Sequence, residues 1–422
     1  MRAREQAHRV AGRERRLFTA AAAFVAVHTL VDTFVAPQPG TPWTDHLAAG
    51  LVPLAVLGTA ATLYPKMPAG VRATVAAVVG VLALEGAALA VADLARTAER
   101  ASDWTGLLLA PAGLTLCGLA GATLWRTRSA HGHRYLRRTL LSVAAVVGAY
   151  WFVLPIGIAL VATHRPRAEN KLAELGTRVR TVTIRTSDGL NLAGWYVPSH
   201  NGAAVISFPT RIGKLPQARM LARHGYGVLA LDMRGYDGSD GSPNAFGWGA
   251  TKDIDAAIAW LQQQPDVRRG RIGGIGFSVG GEQMLEAAAE NPALLAVVSE
   301  GAGERSIRET TLYGPRGWIS LPTAAVQTAS IAILSDTRAP PSLAGVVARI
   351  APRPIFLIYA GHGAGGEELN SNYYNAAHQP KTLWRIAAAH HVGGLAAAPT
   401  QYEHRVISFF DQALLTARSG GS

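Results

Sequence analysis

The sequence predicts two parts of different fold class: an α-helical transmembrane domain over 1–165, then an α/β domain over 170–418 with a mostly parallel sheet. Three observations predict this. Five apolar segments lie at 17–36, 47–64, 72–92, 105–125 and 139–162, each close to the ~20 residues that a bilayer-spanning helix needs. From residue 170 the pattern changes to short apolar strands alternating with helical segments, which argues for a parallel sheet covered on both faces. Within that alternation, Gly276-Phe277-Ser278-Val279-Gly280 sets a serine on the turn from a strand into a helix.

The composition supports the first part. Of the 422 residues, 49% are hydrophobic and 16% charged, and the apolar skew is concentrated before residue 163. The first segment follows an arginine-rich start, but further spans follow it and Phe34-Val35-Ala36-Pro37 offers no clear small-x-small cleavage site. It reads as a retained helix. The net charge of +12 sits largely in short loops between apolar runs, so it reads as membrane topology and not as a nucleic-acid surface. Arg2, Arg4, Arg9, Arg13, Arg15 and Arg16 precede the first span. Lys66 and Arg72 lie in the second-to-third loop, and Arg126, Arg128, Arg134, Arg137 and Arg138 in the fourth-to-fifth. The other side offers Arg96 and Arg100, with Arg165, Arg167 and Lys171 after the last span. This bias places the N-terminus in the cytoplasm, and an odd number of spans places the C-terminal domain outside. The excess of arginine over lysine, with heavy alanine use, suggests a GC-rich bacterial genome. The lone Cys117 excludes an intramolecular disulfide and a cysteine metal cluster. His28 and Asp32 share one face of the first span and Glu85 lies in the third. They mark either a polar path through the bilayer or interhelical polar contacts, and the second reading is favoured.

The second part opens with Val179–Ile184 and Asn191–Tyr196 flanking Ser187-Asp188-Gly189, a hairpin signal that adds antiparallel edge strands. Apolar strands follow at 203–208, 226–231, 271–275, 295–299, 354–359 and 382–386, with helical segments at 215–224, 250–263, 281–290, 368–378 and 399–415. Arg271–Ile275 is the short buried strand before the serine. Gly276, Gly280 and Gly281 are the small neighbours that a tight turn around a strained serine requires.

A serine hydroxyl is a weak nucleophile near neutral pH and needs a base, a carboxylate to orient that base, and an oxyanion hole. The chain supplies candidates in the order Ser, acid, His. Together with the elbow, Leu231-Asp232-Met233-Arg234-Gly235-Tyr236-Asp237-Gly238-Ser239 is similar to the D-x-R-G-x-G-x-S segment of alpha/beta-hydrolases. The second part therefore resembles an alpha/beta-hydrolase domain, near the branch of dienelactone-hydrolase-like and prolyl-oligopeptidase-like serine hydrolases. The resemblance implies Ser278 as nucleophile and a base in the loop after the last strand. There Ala389-His390-His391-Val392-Gly393-Gly394 resembles the family's G-H segment, which favours His391 over His390. The acid is expected after strand 354–359, where Gly361-His362-Gly363-Ala364-Gly365-Gly366-Glu367-Glu368 offers Glu367 first and Glu368 next. Glu300 is a further alternative. Asp232 precedes the serine and is a poorer one, and Glu282 reads as a brace for the helix start. For the oxyanion hole the resemblance implies the Val279 N–H and a donor after strand 203–208. The family's His-Gly is replaced there by Ser207-Phe208-Pro209-Thr210-Arg211, which leaves Thr210 as donor and Arg211 as an electrostatic helper, because proline has no N–H.

The stretch 303–350, with Tyr313, Trp318, Leu321 and several prolines, reads as a cap insertion over the substrate pocket. These readings converge on a membrane-anchored serine hydrolase that cleaves an ester, thioester or amide through an acyl-enzyme. It needs no metal or organic cofactor. Its partners are the lipid bilayer and a small-molecule, lipid or peptide substrate. The competing readings are a catalytically silent hydrolase-fold binding domain, favoured by the altered oxyanion loop, and a transporter with an accessory domain.

Overall fold

The computed structural model describes residues 2–37, 41–95, 101–126, 140–164 apart from 142 and 146, 179–209 and 215–416. Outside them lie the loop cations Arg96, Arg100, Arg128, Arg134, Arg137, Arg138, Arg165, Arg167 and Lys171. The chain forms two compact units, Met1–Arg167 with Pro322–Thr337, and Ala168–Leu321 with Arg338–Ser422.

In the first unit, α1 (Arg2–Leu30) runs on through a π-helical turn, Val31–Val35. It is followed by α2 (Leu47–Leu63), α3 (Ala69–Leu94), α4 (Ala101–Gly106), α5 (Leu109–Arg126) and α6 (Leu154–Thr163). Among the described residues, six stretches are long and apolar enough to cross a membrane: Gly12–Val35, Trp43–Lys66, Ala69–Ala92, Trp104–Arg126, Val143–Thr163 and Pro315–Leu334. The first five overlap the five apolar segments read from the sequence. The sixth lies inside the expected cap insertion, and its helix continues through Pro322.

Small residues let α3 and α5 approach. A Cβ on Gly113 would come within 2.8 Å of the Gly80 carbonyl oxygen, and one on Gly80 within 2.8 Å of Cys117 Sγ. The buried carboxylate of Glu14 is met by Arg72 at 3.4 Å and Arg126 at 3.3 Å. His28 and Asp32 do not pair with each other. His28 Nδ1 lies 3.2 Å from Thr105 Oγ1, and Asp32 Oδ2 lies 3.6 Å from His164 Nε2. Glu85 packs where a Cβ on Gly157 would be 2.8 Å from its Oε2. His28 and Asp32 thus each reach a polar group on another segment, while Glu85 packs against the small Gly157.

The second unit is built on an eight-stranded sheet: β1 (Arg180–Arg185), β2 (Asn191–Val197), β3 (Ala204–Phe208), β4 (Gly227–Leu231), β5 (Ile272–Phe277), β6 (Ala296–Glu300), β7 (Ile355–His362) and β8 (Lys381–His390). The spatial order is β1-β2-β4-β3-β5-β6-β7-β8. The β1–β2 hairpin is antiparallel and joins β4 antiparallel, while every pair from β4 through β8 is parallel. This is the alpha/beta-hydrolase architecture.

Central strands are buried on both faces, so successive residues enter two different cores. Ile206, Phe208, Leu229 and Leu231 join one core with α8 (Thr251–Leu261), α9 (Val279–Glu290), α12 (Leu343–Val347) and α13 (Asn370–Ala376). Val205, Val228 and Ala230 join the other with α7 (Leu215–Arg223) and α15 (Pro399–Phe410). Between these elements lie α10 (Ile307–Thr310), α11 (Pro315–Leu334) and α14 (Gly394–Ala397). β8 runs four residues beyond the 382–386 expected, to His390, because β7 keeps pairing with it across a register shift between Ala360 and His362.

Arg234, from the D-x-R-G segment, locks the loop after β4. Its guanidinium bonds Asp253 Oδ1 at 2.6 Å and 2.8 Å and Asp188 Oδ2 at 2.9 Å, and its backbone N–H donates to Asp253 Oδ2 at 3.0 Å. The hairpin turn, the loop and α8 are therefore held by one side chain. Burial pushes the Asp188 carboxyl up, but the hydrogen bonds from Arg234 and Thr186 outweigh it and hold the carboxyl well below its usual range. Replacing Arg234 by Ala strands Asp253, which is 0% exposed, as an uncompensated buried charge. Urea denaturation of Arg234→Ala is expected to show a loss of about 3–5 kcal/mol, with Arg234→Lys falling between it and the wild type.

Candidate active site

β5 delivers the chain to Ser278 at φ 53°, ψ −124°, and α9 begins at the next residue. A positive φ is costly for a residue with a Cβ. Main-chain bonds hold it, from Ser278 N–H to the Glu300 carbonyl at 2.8 Å and from Gly281 N–H to the Ser278 carbonyl at 2.8 Å. The neighbouring glycines are required by contact. A Cβ on Gly276 would overlap the Gly280 carbonyl, one on Gly280 would overlap Pro209 and the Phe208 carbonyl, and one on Gly281 would lie 2.6 Å from Ser299 Oγ.

His391 directly follows β8. Its Nε2 lies 2.9 Å from Ser278 Oγ, and its Nδ1 hydrogen-bonds Glu367 Oε1. Glu367, 1% exposed, also accepts the Ala360 N–H at 2.8 Å and the Ala364 N–H at 3.3 Å. Burial pushes its carboxyl up, but His391 and these two amides outweigh burial and hold it below the usual range. A carboxylate only accepts hydrogen bonds, so the proton stays on Nδ1 and the Nε2 lone pair faces the serine hydroxyl. This arrangement can take the hydroxyl proton as the oxygen attacks an electrophilic carbon.

The structure brings Ser278, His391 and Glu367 together and leaves the alternatives elsewhere. His390 belongs to β8 and faces His362, with ring centroids 5.5 Å apart. Glu368 is exposed on the same loop. Glu300 accepts the Gly394 N–H at 2.8 Å and the Tyr402 hydroxyl at 2.5 Å. Asp232 is buried, and its carbonyl accepts Ser239 Oγ–H at 3.0 Å. Glu282 Oε1 accepts the Gly303 N–H at 3.1 Å. Val279 opens α9, so its N–H has no partner within the helix and lies at the positive end of the helix dipole. Thr210 and Arg211 lie outside the described residues. Pro209 is packed against Gly280, so the chain leaving β3 passes beside the elbow. Among the described residues, no group of three or more His, Cys, Asp or Glu has the spacing to hold a metal ion.

Several supporting residues escaped the sequence reading. Tyr402, in the helical segment expected at 399–415, is fully buried with its hydroxyl on Glu300. A buried tyrosine hydroxyl needs a partner, and that is the signal that marks it. The stem of the insertion is also bound to the acid loop. Glu304 N–H donates to the Gly365 carbonyl at 2.9 Å, Asn370 Nδ2 donates to the Ala302 carbonyl at 2.7 Å, and the Tyr373 hydroxyl donates to the Gly303 carbonyl at 2.7 Å.

The chain matches the model of the X-Pro dipeptidyl-peptidase (S15 family) over residues 157–394, a range that includes Ser278, Glu367 and His391. Protein Rv2307c of Mycobacterium tuberculosis (strain ATCC 25618 / H37Rv) is 36% identical over 120 residues, covering 27% of this chain and 42% of that protein. The match therefore spans less than half of that relative. YfhR of Salmonella typhimurium is 24% identical over 306 residues, covering 67% of this chain and 98% of that protein. Among solved structures, the Pyrococcus furiosus esterase Pf2001 is 23% identical with a TM-score of 0.48, covering 59% of this chain and 96% of its own. The Pyrococcus horikoshii acylaminoacyl peptidase is 18% identical with a TM-score of 0.44, covering 58% and 43%.

Glu282 carries a pH dependence apart from Ser278, His391 and Glu367. Burial is the largest influence and drives its carboxyl up to about 8, against the lowering effect of Arg305 and the Gly303 N–H. A carboxyl raised on folding binds its proton more tightly in the native state, so native stability falls as pH rises from 4.5 towards about 8. Chemical denaturation of Glu282→Gln across this range is expected to show a flatter pH profile than the wild type. An unchanged slope would mean that Glu282 is ionised throughout.

Proposed function

We propose, from the premise that this chain belongs to the X-Pro dipeptidyl-peptidase (S15) family, that it is a membrane-anchored serine hydrolase cleaving an ester, thioester or amide through an acyl-enzyme. The observation that carries the reading is the unbroken line from Ser278 Oγ through the His391 ring to the buried Glu367 carboxylate.

In this reading His391 Nε2 takes the Ser278 proton as Oγ bonds to the substrate carbonyl carbon. The negative charge that forms on the carbonyl oxygen is met by the N–H groups of Val279 and Thr210. The imidazolium, steadied by Glu367, then protonates the leaving alcohol, thiol or amine. Water repeats the sequence on the acyl-enzyme: His391 removes its proton, and Ser278 leaves with that proton as the acid is released. The five N-terminal spans hold the domain at the cell membrane, with the N-terminus cytoplasmic and the hydrolase domain extracytoplasmic. The substrate is a small molecule, lipid or peptide, and no nucleic acid is involved.

A catalytically silent binding domain is the second reading. It is favoured by one observation: Pro209, which has no N–H, stands at the start of the loop that should complete the oxyanion hole.

Labelling with a fluorophosphonate probe separates the two. Wild-type protein is expected to label, while Ser278→Ala and His391→Ala lose labelling and stay folded. A folded wild type that resists the probe would favour the silent domain. Glu367→Gln is expected to keep the fold and lower kcat on an activated ester by about 10³-fold or more, read by steady-state kinetics, because the imidazole loses its fixed tautomer.

A further inference from the structure

Between β6 and β7 the chain leaves the sheet, forms α11 and returns. Both feet of this insertion stand at one point. Glu309 Oε1, on a fully buried side chain before α11, accepts the Ser342 hydroxyl at 2.6 Å and the Leu343 N–H at 2.7 Å, both after it. β6 and β7 are also paired neighbours, from Val297 with Ile355 to Glu300 with Ile358. The insertion therefore begins and ends on the same side of any membrane.

α11 has 20 residues and is about 30 Å long, enough to cross once. A crossing would require residues 335–342 to return through hydrocarbon to Leu343, which is 0% exposed in the hydrolase core. Those residues are irregular and include Asp336, Arg338, Pro340 and Pro341, a composition that the hydrocarbon region excludes. α11 is thus not a sixth span.

Its beginning is nonetheless dressed for lipid. In the hydrolase unit, every exposed large hydrophobic side chain among the described residues falls at this root: Leu312 at 46%, Trp318 at 65% and Ile319 at 63%. The exposed charges among them, Arg308 and Arg316, are positive, while Glu309 is turned inward. An amphipathic tryptophan, aliphatic side chains and arginines form the composition of a helix seated at an anionic lipid interface.

The root also touches the candidate active site. A Cβ on Gly301 would lie 3.4 Å from His391 Cε1 and 3.5 Å from Glu367 Cδ. The Tyr313 hydroxyl, next to Leu312, packs on Gly366, which precedes Glu367.

We propose that Leu312, Trp318 and Ile319 seat the root of α11 in the headgroup–acyl boundary of the bilayer that holds the N-terminal helices, and that the site takes long-chain acyl substrates from that lipid phase. The substrate half of this inference rests on the serine-hydrolase reading, while the seating does not.

The test uses the full-length protein in phosphatidylglycerol/phosphatidylcholine vesicles, with a soluble short-chain ester and 4-methylumbelliferyl palmitate dissolved in the bilayer. The combined Leu312→Ser, Trp318→Ser and Ile319→Ser variant is expected to lose about tenfold or more in rate on the palmitate ester and to stay within about twofold of wild type on the soluble ester. Equal losses on both substrates, or no loss on either, would overturn the lipid-phase substrate. The seating is read separately on a Cys117→Ser background, with a nitroxide on Ile319→Cys. Relaxation by oxygen exceeding that by an aqueous nickel chelate supports it, and the reverse overturns it. A wild type that neither labels with fluorophosphonate nor turns over the soluble ester overturns the hydrolase reading, and with it the substrate half. The nitroxide still decides the seating.

Discussion

The arrangement around Ser278 depends on the end of β6. The Glu300 carbonyl takes the Ser278 N–H, which fixes the serine in its left-handed conformation. The carboxylate of the same residue takes the Gly394 N–H and the Tyr402 hydroxyl, which fixes the turn after His391 and the helix behind it. One residue of a central strand thus sets Ser278 with its backbone and the turn after His391 with its side chain. Two parts of the chain far apart in sequence are thereby registered to each other. Rigid support of this kind holds a hydrogen-bonded relay in place before a substrate arrives.

Around this point the glycines are a geometric necessity. Gly276, Gly280 and Gly281 each face backbone or a neighbouring side chain at distances that leave no room for a methyl group. Gly274 faces Met284 in one core, while Gly273 faces Phe410 in the other. The run through β5 therefore serves two purposes: close helix packing on both faces of the sheet, and a sharp exit at the serine.

Much of this was legible from residue order. The strand–serine–helix pattern, the antiparallel hairpin and the strand–helix alternation are local signals, and local sterics produce them. The choice of Glu367 over Glu368 was less visible. Both stand in the same first helical turn, and only folding of the Gly363–Gly366 loop decides that Glu367 turns inward while Glu368 stays in water. The extension of β8 to His390 was hidden because Ala387-Ala388-Ala389 carries no strong alternation of side-chain type. The long insertion helix was hidden by its own prolines. Pro315 sits in the first turn, where no N–H is needed, and Pro322 is absorbed within the helix. The partners of His28 and Asp32, and the Gly157 against which Glu85 packs, lie on other segments, which a reading along one helix does not reach.

The position of the insertion has a consequence for biosynthesis. Ser278 lies before it in the chain, while Glu367 and His391 lie after it, beyond strands that join the sheet only when β7 finds β6. A ribosome that has released α11 has therefore produced Ser278 without its hydrogen-bonding partners His391 and Glu367. The relay first exists when the strands beyond the insertion have been synthesised and docked, and by then the preceding apolar helices have already emerged. The order of residues along the chain thus delays the Ser278–His391–Glu367 arrangement until the surrounding architecture is complete.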